Sequence, residues 1–422
     1  MDLISVLITI LKVIFILGFL VFIHEGGHFL VAKLCKIKVN EFAIGFGPTI
    51  WSKQGKETKY ALRLIPLGGF VNMEGEEERS DKEGSFSKAS VPKRIAVVAA
   101  GGLVNIVFAL IVYFILMSCM GNNVAPVIDY TIENSGAQIV GLQSGDKIVK
   151  LNGKTIHYKT DLDNALAKCN GENVTVVIER NGEEQTYTFN PKEEKYNYTG
   201  IAISTSGEAN TKIAAISSKS PADLQGLEVG DVILKINDVE VKDDTKKLVE
   251  EINKTQGEKI KFTIERNGEI KEILVTPEVH SDYYLGVYLQ KAENNIGNNL
   301  YYAFWETGDF AFSIIDNLKL LFTGNVSIDQ MMGPVGIGEV VAQTNGFADF
   351  IYILALVSIS LGFTNLLPFP PLDGGKIVIL LIEAIRRKPM KEQTEVSIQM
   401  VGFMLLIGLS IYVTYNDILR IF

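Results

Sequence analysis

The chain has 422 residues, of which 47% are hydrophobic, with a mean hydropathy of +0.20 and a formal net charge of −9. Those values argue against a single water-soluble globular domain, and the charge shows no basic stripe, so nucleic acid is not an expected partner. Three cysteines, Cys35, Cys119 and Cys169, form neither a CxxC pair nor an even set, which points away from a disulfide framework and from a cysteine metal site.

Four stretches, residues 3–23, 95–120, 350–368 and 396–415, are apolar and long enough to cross a hydrocarbon core about 30 Å thick. The first lacks a basic n-region and a small-residue cleavage site, so it is expected to be a retained helix and not a cleaved signal. It leads straight into His24-Glu25-Gly26-Gly27-His28. In a helix, residues four apart share a face, so one metal ion can take both imidazoles. Glu25, one position on, lies near that ion without readily ligating it, which suits a general base toward an attacking water. Ionisable groups near a bilayer centre cost on the order of 2.5–3.5 kcal/mol each, and a metal is the compensating partner the pattern suggests.

Between the first two spans the chain is rich in Lys and Arg, as is the loop with Arg386, Arg387, Lys388 and Lys391 before the last span. Both loops should be cytoplasmic, with the termini and the long middle segment outside. Residues 58–73 alternate and then turn at Pro66 to Gly69, which predicts a β-hairpin beside the cytoplasmic mouth.

Residues 121–290 are polar and rich in Val/Ile/Thr alternation, as in Val174-Thr175-Val176-Val177-Ile178, and read as a soluble strand-rich insert. The insert repeats itself. Ser135, Ala137, Gly141-Leu142, Gly145-Asp146, Ile148 and Asn152 recur as Ser220, Ala222, Gly226-Leu227, Gly230-Asp231, Ile233 and Asn237, and each copy leads to a strand ending in Arg-Asn-Gly, at Arg180 and at Arg266. This pattern resembles bacterial PDZ domains, two in tandem, which implies grooves that take an extended peptide as an added edge strand. Next, residues 297–323 are aromatic-rich yet carry Glu306, Asp309, Asp316 and Lys319; an amphipathic helix lying in the interface is expected, a fifth crossing being the alternative.

A catalytic zinc needs a third protein ligand and an open position. His157 and His280 fall in the external repeats, which leaves the carboxylates of the later spans. Asp373 stands out within Asn365-Leu366-Leu367-Pro368-Phe369-Pro370-Pro371-Leu372-Asp373-Gly374-Gly375, where three prolines break a helix at membrane depth.

Together these motifs resemble the site-2 protease family: HEGGH in a first span and Asn-x2-Pro-x-Pro-x2-Asp-Gly in a late one. The tandem insert is similar to the regulator-of-sigma-E branch. Gly45-Phe46-Gly47-Pro48, Gly101-x3-Asn105 and Gly333-Pro334-Val335-Gly336-Ile337 match as well. The resemblance implies a multi-pass α-helical membrane protein with four transmembrane helices, two inserted β-rich PDZ domains and a membrane-associated β-hairpin. It divides the chain at 1–120, 121–205, 206–290, 291–349 and 350–422. It also implies a Zn2+ endopeptidase of a bacterial cell membrane in which His24, His28 and Asp373 hold the metal and Glu25 is the base. Asn365, Asn105, Leu64 and Gly69 would contact substrate, the hairpin offering its edge to an unwound segment. The substrates implied are single-pass membrane proteins, such as anti-sigma factors, or remnant signal peptides, with the site toward the cytoplasm and the insert excluding substrates that still carry bulky outer domains. A receptor with structural zinc would want four protein ligands, where this chain offers three and a glutamate. A transporter would show interrupted spans in both halves, which this chain does not.

Overall fold

The computed structural model describes residues 3–76, 78–121, 123–203, 211–217, 219–323, 333–342, 344 and 346–421. The chain forms two compact units, Met1–Asn123 with Ala292–Phe422, and Val124–Lys291.

The first unit opens with α1 (Leu3–Leu34), which continues past residue 23 and so carries the whole HEGGH stretch in one helix. Strands β1 (Val39–Gln54) and β2 (Lys59–Met73) follow. Helix α2 (Val91–Met120) carries Pro92 in its first turn and ends at Gly121, whose left-handed backbone (φ 57°) returns its N–H to the Met117 carbonyl. The hairpin predicted over 58–73 needs correction. The two limbs of β2 do not pair with each other. They flank β1, so that Ala43 faces both Ala61 and Phe70, and Ile44 faces both Leu62 and Gly69. The reason is burial: Val39, Phe42 and Ala43 of β1 supply the apolar centre that an isolated two-stranded hairpin lacks. The limb from Gly69 to Met73 is left as an edge, with β1 as its one strand partner among the described residues.

The second unit holds two β-rich cores. The first uses β3 (Val124–Thr131), α3 (Gly136–Ile139), β4 (Lys147–Leu151), β5 (Lys154–Thr155), α4 (Lys159–Ala167), β6 (Val174–Arg180) and β7 (Glu183–Phe189), and is followed by β8 (Lys192–Tyr198) and β9 (Ile201–Ile203). The second uses β10 (Ile213–Ile216), α5 (Pro221–Leu224), β11 (Val232–Ile236), β12 (Val239–Glu240), α6 (Thr245–Lys254), β13 (Ile260–Arg266) and β14 (Glu269–Val275), followed by β15 (Glu278–Tyr284) and β16 (Val287–Lys291). Each repeated residue has a local task. Ser135 and Ser220 cap the short helices α3 and α5 by accepting from Gln138 and Asp223 N–H. Asp146 and Asp231, both 1% exposed, each take a two-pronged guanidinium, from Arg180 at 2.6 Å and from Arg266 at 2.7 and 2.8 Å. Asn181-Gly182 and Asn267-Gly268, all at positive φ, make the two-residue turns that join β6 to β7 and β13 to β14.

The expected boundaries at 205 and 290 cut through a strand exchange. β16 completes the sheet of the first core, in the order β16-β3-β4-β6-β7, and Leu285 is buried in that core. Ile201 and Ile203 of β9 instead pack on the second core. β8 and β15 then pair antiparallel with each other, from Tyr198 opposite Glu278 to Lys192 opposite Tyr284.

The first unit resumes with α7 (Ile296–Phe322), α8 (Pro334–Ala342), α9 (Phe347–Asn365), α10 (Asp373–Arg386) and α11 (Glu392–Ile421). Four of the described helices, α1, α2, α9 and α11, are long and apolar enough to cross a membrane. Rows of exposed apolar residues on them, such as Leu7, Leu11 and Phe15 on α1 and Val401, Met404, Leu405 and Ile411 on α11, are a surface that lipid covers without cost. Residues 297–323 do not lie across these helices as an interfacial segment would. Asn299 Nδ2 donates to Ser118 Oγ near the end of α2, and the Phe312 ring meets Phe363 of α9, beside Gly362, which packs on Gly102. From Asn299 to Phe312 is a rise of roughly 20 Å, and from Ser118 back to Gly102 about 24 Å, so α7 runs lengthwise and antiparallel to α2. Asn299, hydrogen-bonded also to Asn294 and Asn123, and the aromatic contacts seat it there. Asp417 of α11, fully buried, accepts from the N–H groups of Gly333 and Gly336 and so caps α8.

Candidate metal centre

Two helices supply the donor atoms. α1 supplies His24 and His28, and α10 supplies Asp373 from its first residue. The predicted break in the helix is present: α9 stops at Asn365 and α10 starts at Asp373, with Pro368, Pro370 and Pro371 between them. The two glycines after Asp373 let α10 turn back on that loop, because a Cβ at Gly374 would stand 2.1 Å from the Leu367 carbonyl oxygen and one at Gly375 2.7 Å from Pro370 N. From α11, Gly402 closes on the same loop, its Cβ position 2.0 Å from the Pro370 oxygen.

The donor atoms form a nearly regular triangle. His24 Nε2 and His28 Nε2 are 3.2 Å apart and lie 3.2 and 3.4 Å from Asp373 Oδ2. Ligands about 2.0–2.1 Å from a tetrahedral zinc are separated by roughly 3.3 Å, so the triangle fits one face of such a site. Asp373 Oδ2 is buried without a hydrogen bond, which is how a carboxylate oxygen is left when a cation is its intended partner. Among the described residues these three form the group of His, Cys, Asp and Glu close enough to share an ion.

Helix α2 makes the triangle possible with one stripe. At Gly101 a Cβ would stand 2.4 Å from His28 Nε2 and 2.8 Å from His24 Nε2, so any side chain there would occupy the donors' space. One turn earlier, the Val97 carbonyl accepts from His28 Nδ1–H at 2.8 Å, which leaves Nε2 with its lone pair toward the triangle. Gly27 brings α1 close enough for this, since its Cβ position is 2.6 Å from the Ala100 oxygen.

The triangle opens into a cavity of about 740 Å³ that Glu25 also lines. One wall is the sheet edge, Phe70, Val71, Asn72 and Met73. Lys376, one turn beyond Asp373, lies in the cavity paired with Glu76 at 2.8 Å, and Glu392, Glu395 and Gln399 of α11 form the far wall. Of the residues the sequence assigned to substrate, Gly69 reaches the site: its Cβ position is 3.2 Å from Glu25 Cγ. Leu64 sits on the other limb of β2, exposed and away from the cavity lining, and Asn365 ends α9 half-buried outside that lining. Asn105 is wholly buried behind His24. The Val97 carbonyl carried no sequence signal, whereas Glu392, Glu395 and Gln399 share one helical face of α11, a spacing the sequence does display.

The model of peptidase family M50 matches residues 12–409. The chain belongs to peptidase family M50. The regulator of sigma E protease of Haemophilus influenzae is 33% identical over 95% of this chain and 96% of its own length, and the zinc metalloprotease RasP of Shouchella clausii is 32% identical over 98% and 99%. A second zinc metalloprotease RasP, from Oceanobacillus iheyensis, is 30% identical over 98% and 99%. This M50 peptidase is accordingly a zinc metalloprotease with membrane-helix character. Among solved structures, the PDZ domain of HtrA3 bound to a phage-derived ligand matches 22% of this chain and 93% of its own at 18% identity, with a TM-score of 0.19.

Proposed function

We propose that this M50 peptidase cuts single-pass membrane proteins within their spanning segments, with His24, His28 and Asp373 as the zinc ligands and Glu25 as the general base. The observation that carries the reading is the meeting of that donor triangle with Glu25 and an open sheet edge in one cavity, at the end of an apolar helix. Bound there, zinc lowers the pKa of water toward about 7 and polarises the scissile carbonyl. Glu25 takes the proton from the attacking water and returns it to the leaving amine. The edge from Gly69 to Met73 receives the substrate as an added strand, which holds its backbone extended at the moment of attack and so removes the protection its own helical hydrogen bonds gave.

The Lys- and Arg-rich loops favour a cytoplasmic position for the site and an outer one for the insert. The insert's two PDZ-like repeats then bind extended chain ends or hold back substrates with bulky outer domains. Anti-sigma factors and remnant signal peptides fit this substrate class.

The test is cleavage in liposomes of a single-pass substrate whose outer domain has been trimmed. The wild type is expected to cut within the span, and Glu25→Gln to leave it intact while keeping its zinc. Cuts confined to the soluble part of the substrate contradict the reading. Deleting residues 126–290 should release cleavage of the untrimmed substrate, and continued refusal to cut it sinks the gating role.

A further inference from the structure

The two zinc-ligating imidazoles meet helix α2 differently. His28 has a backbone carbonyl, Val97 O, against its Nδ1 at 2.8 Å. His24 has a side chain instead: Asn105, eight residues further along the same stripe of α2, puts its amide 3.5 Å from His24 Nδ1. Asn105 is 0% exposed and does not line the catalytic cavity, so a substrate has no access to it. Its Oδ1 is buried with no hydrogen-bond partner. Its backbone is fixed from the other side, because Ser358 Oγ of α9 donates to the Asn105 carbonyl at 2.8 Å and Gly362 packs against its Cβ.

We propose that Asn105 is a positioning residue for His24, and not the substrate contact its motif suggests. The inference rests on the zinc-ligand assignment given above. A histidine that offers Nε2 to a metal carries its proton on Nδ1, and that N–H needs an acceptor. Asn105 has one to give: an amide exchanges its oxygen and nitrogen within the same space by a half-turn about Cβ–Cγ, and Oδ1 is the atom that lacks a partner. A buried amide oxygen without a donor is destabilising, and the His24 N–H supplies the missing donor. The stripe Val97, Gly101, Asn105 thus gives each histidine one acceptor, with a gap between them for the donor atoms.

The experiment measures zinc affinity of the purified full-length protein by competition with a chelator, for wild type, Asn105→Leu and Asn105→Asp. Leucine keeps the branched shape and removes the acceptor, and aspartate keeps the acceptor. Asn105→Leu should weaken zinc binding roughly 10–100-fold and shift the visible bands of the cobalt(II)-substituted protein, while Asn105→Asp restores both toward wild type. If leucine prevents folding, Asn105→Ala, which adds no bulk, replaces it in the same comparison. Equal loss of zinc in the leucine (or alanine) and aspartate variants overturns the proposal, as does a raised KM with zinc affinity unchanged, which is the signature of a substrate contact. A wild type that binds no zinc overturns the ligand assignment itself, and this inference with it.

Discussion

Asp146 and Asp231 of the insert and Asp373 of the helical unit each put carboxylate oxygen out of reach of water, and they are compensated in opposite ways. In the insert, Asp146 and Asp231 are each closed off by an arginine of the same repeat, and both oxygens of each carboxylate accept hydrogen bonds. In the helical unit, Asp373 Oδ2 faces two imidazoles that are neutral when they act as ligands, and it has no hydrogen bond. The first arrangement is complete and holds a fold together; the second lacks one positive charge, the one the proposed zinc site would supply. The same residue type is therefore closed by an arginine in one region and left open in the other, and the partner makes the difference.

That contrast can be broken from either side. The largest effect belongs to Gly101→Ala: the new Cβ would stand 2.4 Å from His28 Nε2, so zinc content and cleavage should both fall, by at least about 100-fold in affinity. Wild-type zinc affinity in that variant would show that α2 does not shape the site. In the insert, Arg180→Ala leaves Asp146 buried without its cation and should cost on the order of 3 kcal/mol, read as lost hydrogen-exchange protection in β6 and β7, with zinc content unchanged. Unaltered protection would mean the pair contributes nothing.

A pH series sharpens the same point. Burial pushes the Asp146 carboxyl up, but the Arg180 guanidinium and the Gln143 N–H outweigh it and hold the group below its usual value. A folded-state pKa below the unfolded one gives stability that is fully present above the unfolded value, about 3.9, and lost as pH falls through the folded one. Protection of the first core should therefore be flat from neutrality down to about pH 4 and decline below it, and Arg180→Ala should flatten that decline. A loss of protection already near pH 6 would point to another group. The smallest effect is expected at the turn residue Asn181, at φ 55°. Asn181→Ala should cost about 1 kcal/mol and Asn181→Gly close to nothing, measured by the same protection; equal costs would mean the turn's backbone is not what the asparagine serves.

Much of this was legible in the sequence because the motifs are short and each carries its own geometry. The spacing of His24 and His28, the prolines before Asp373 and the repeated Ser, Asp and Asn positions translate directly into a helix face, a helix break and caps or turns. What could not be read involves partners distant in the chain. Residues 58–73 show the alternation of a hairpin, but nothing local says that β1 inserts between its limbs. The repeat predicts two cores of equal extent, yet strands β9 and β16 are exchanged, because the pairing edge of a strand is chosen by the sheet and not by the strand. The charges on residues 297–323 argued for an interfacial helix, while the contacts of Asn299 and Phe312 that set it along α2 depend on residues about 180 and 50 positions away. The Gly101-x3-Asn105 motif says that Asn105 matters and not what it touches; its amide lies 3.5 Å from His24 Nδ1.

The most direct test is the zinc content per chain of the purified protein, measured for wild type, Glu25→Gln and Asp373→Ala side by side. One zinc in the wild type and in Glu25→Gln, with little or none in Asp373→Ala, is the predicted result. Full zinc retained by Asp373→Ala would contradict it.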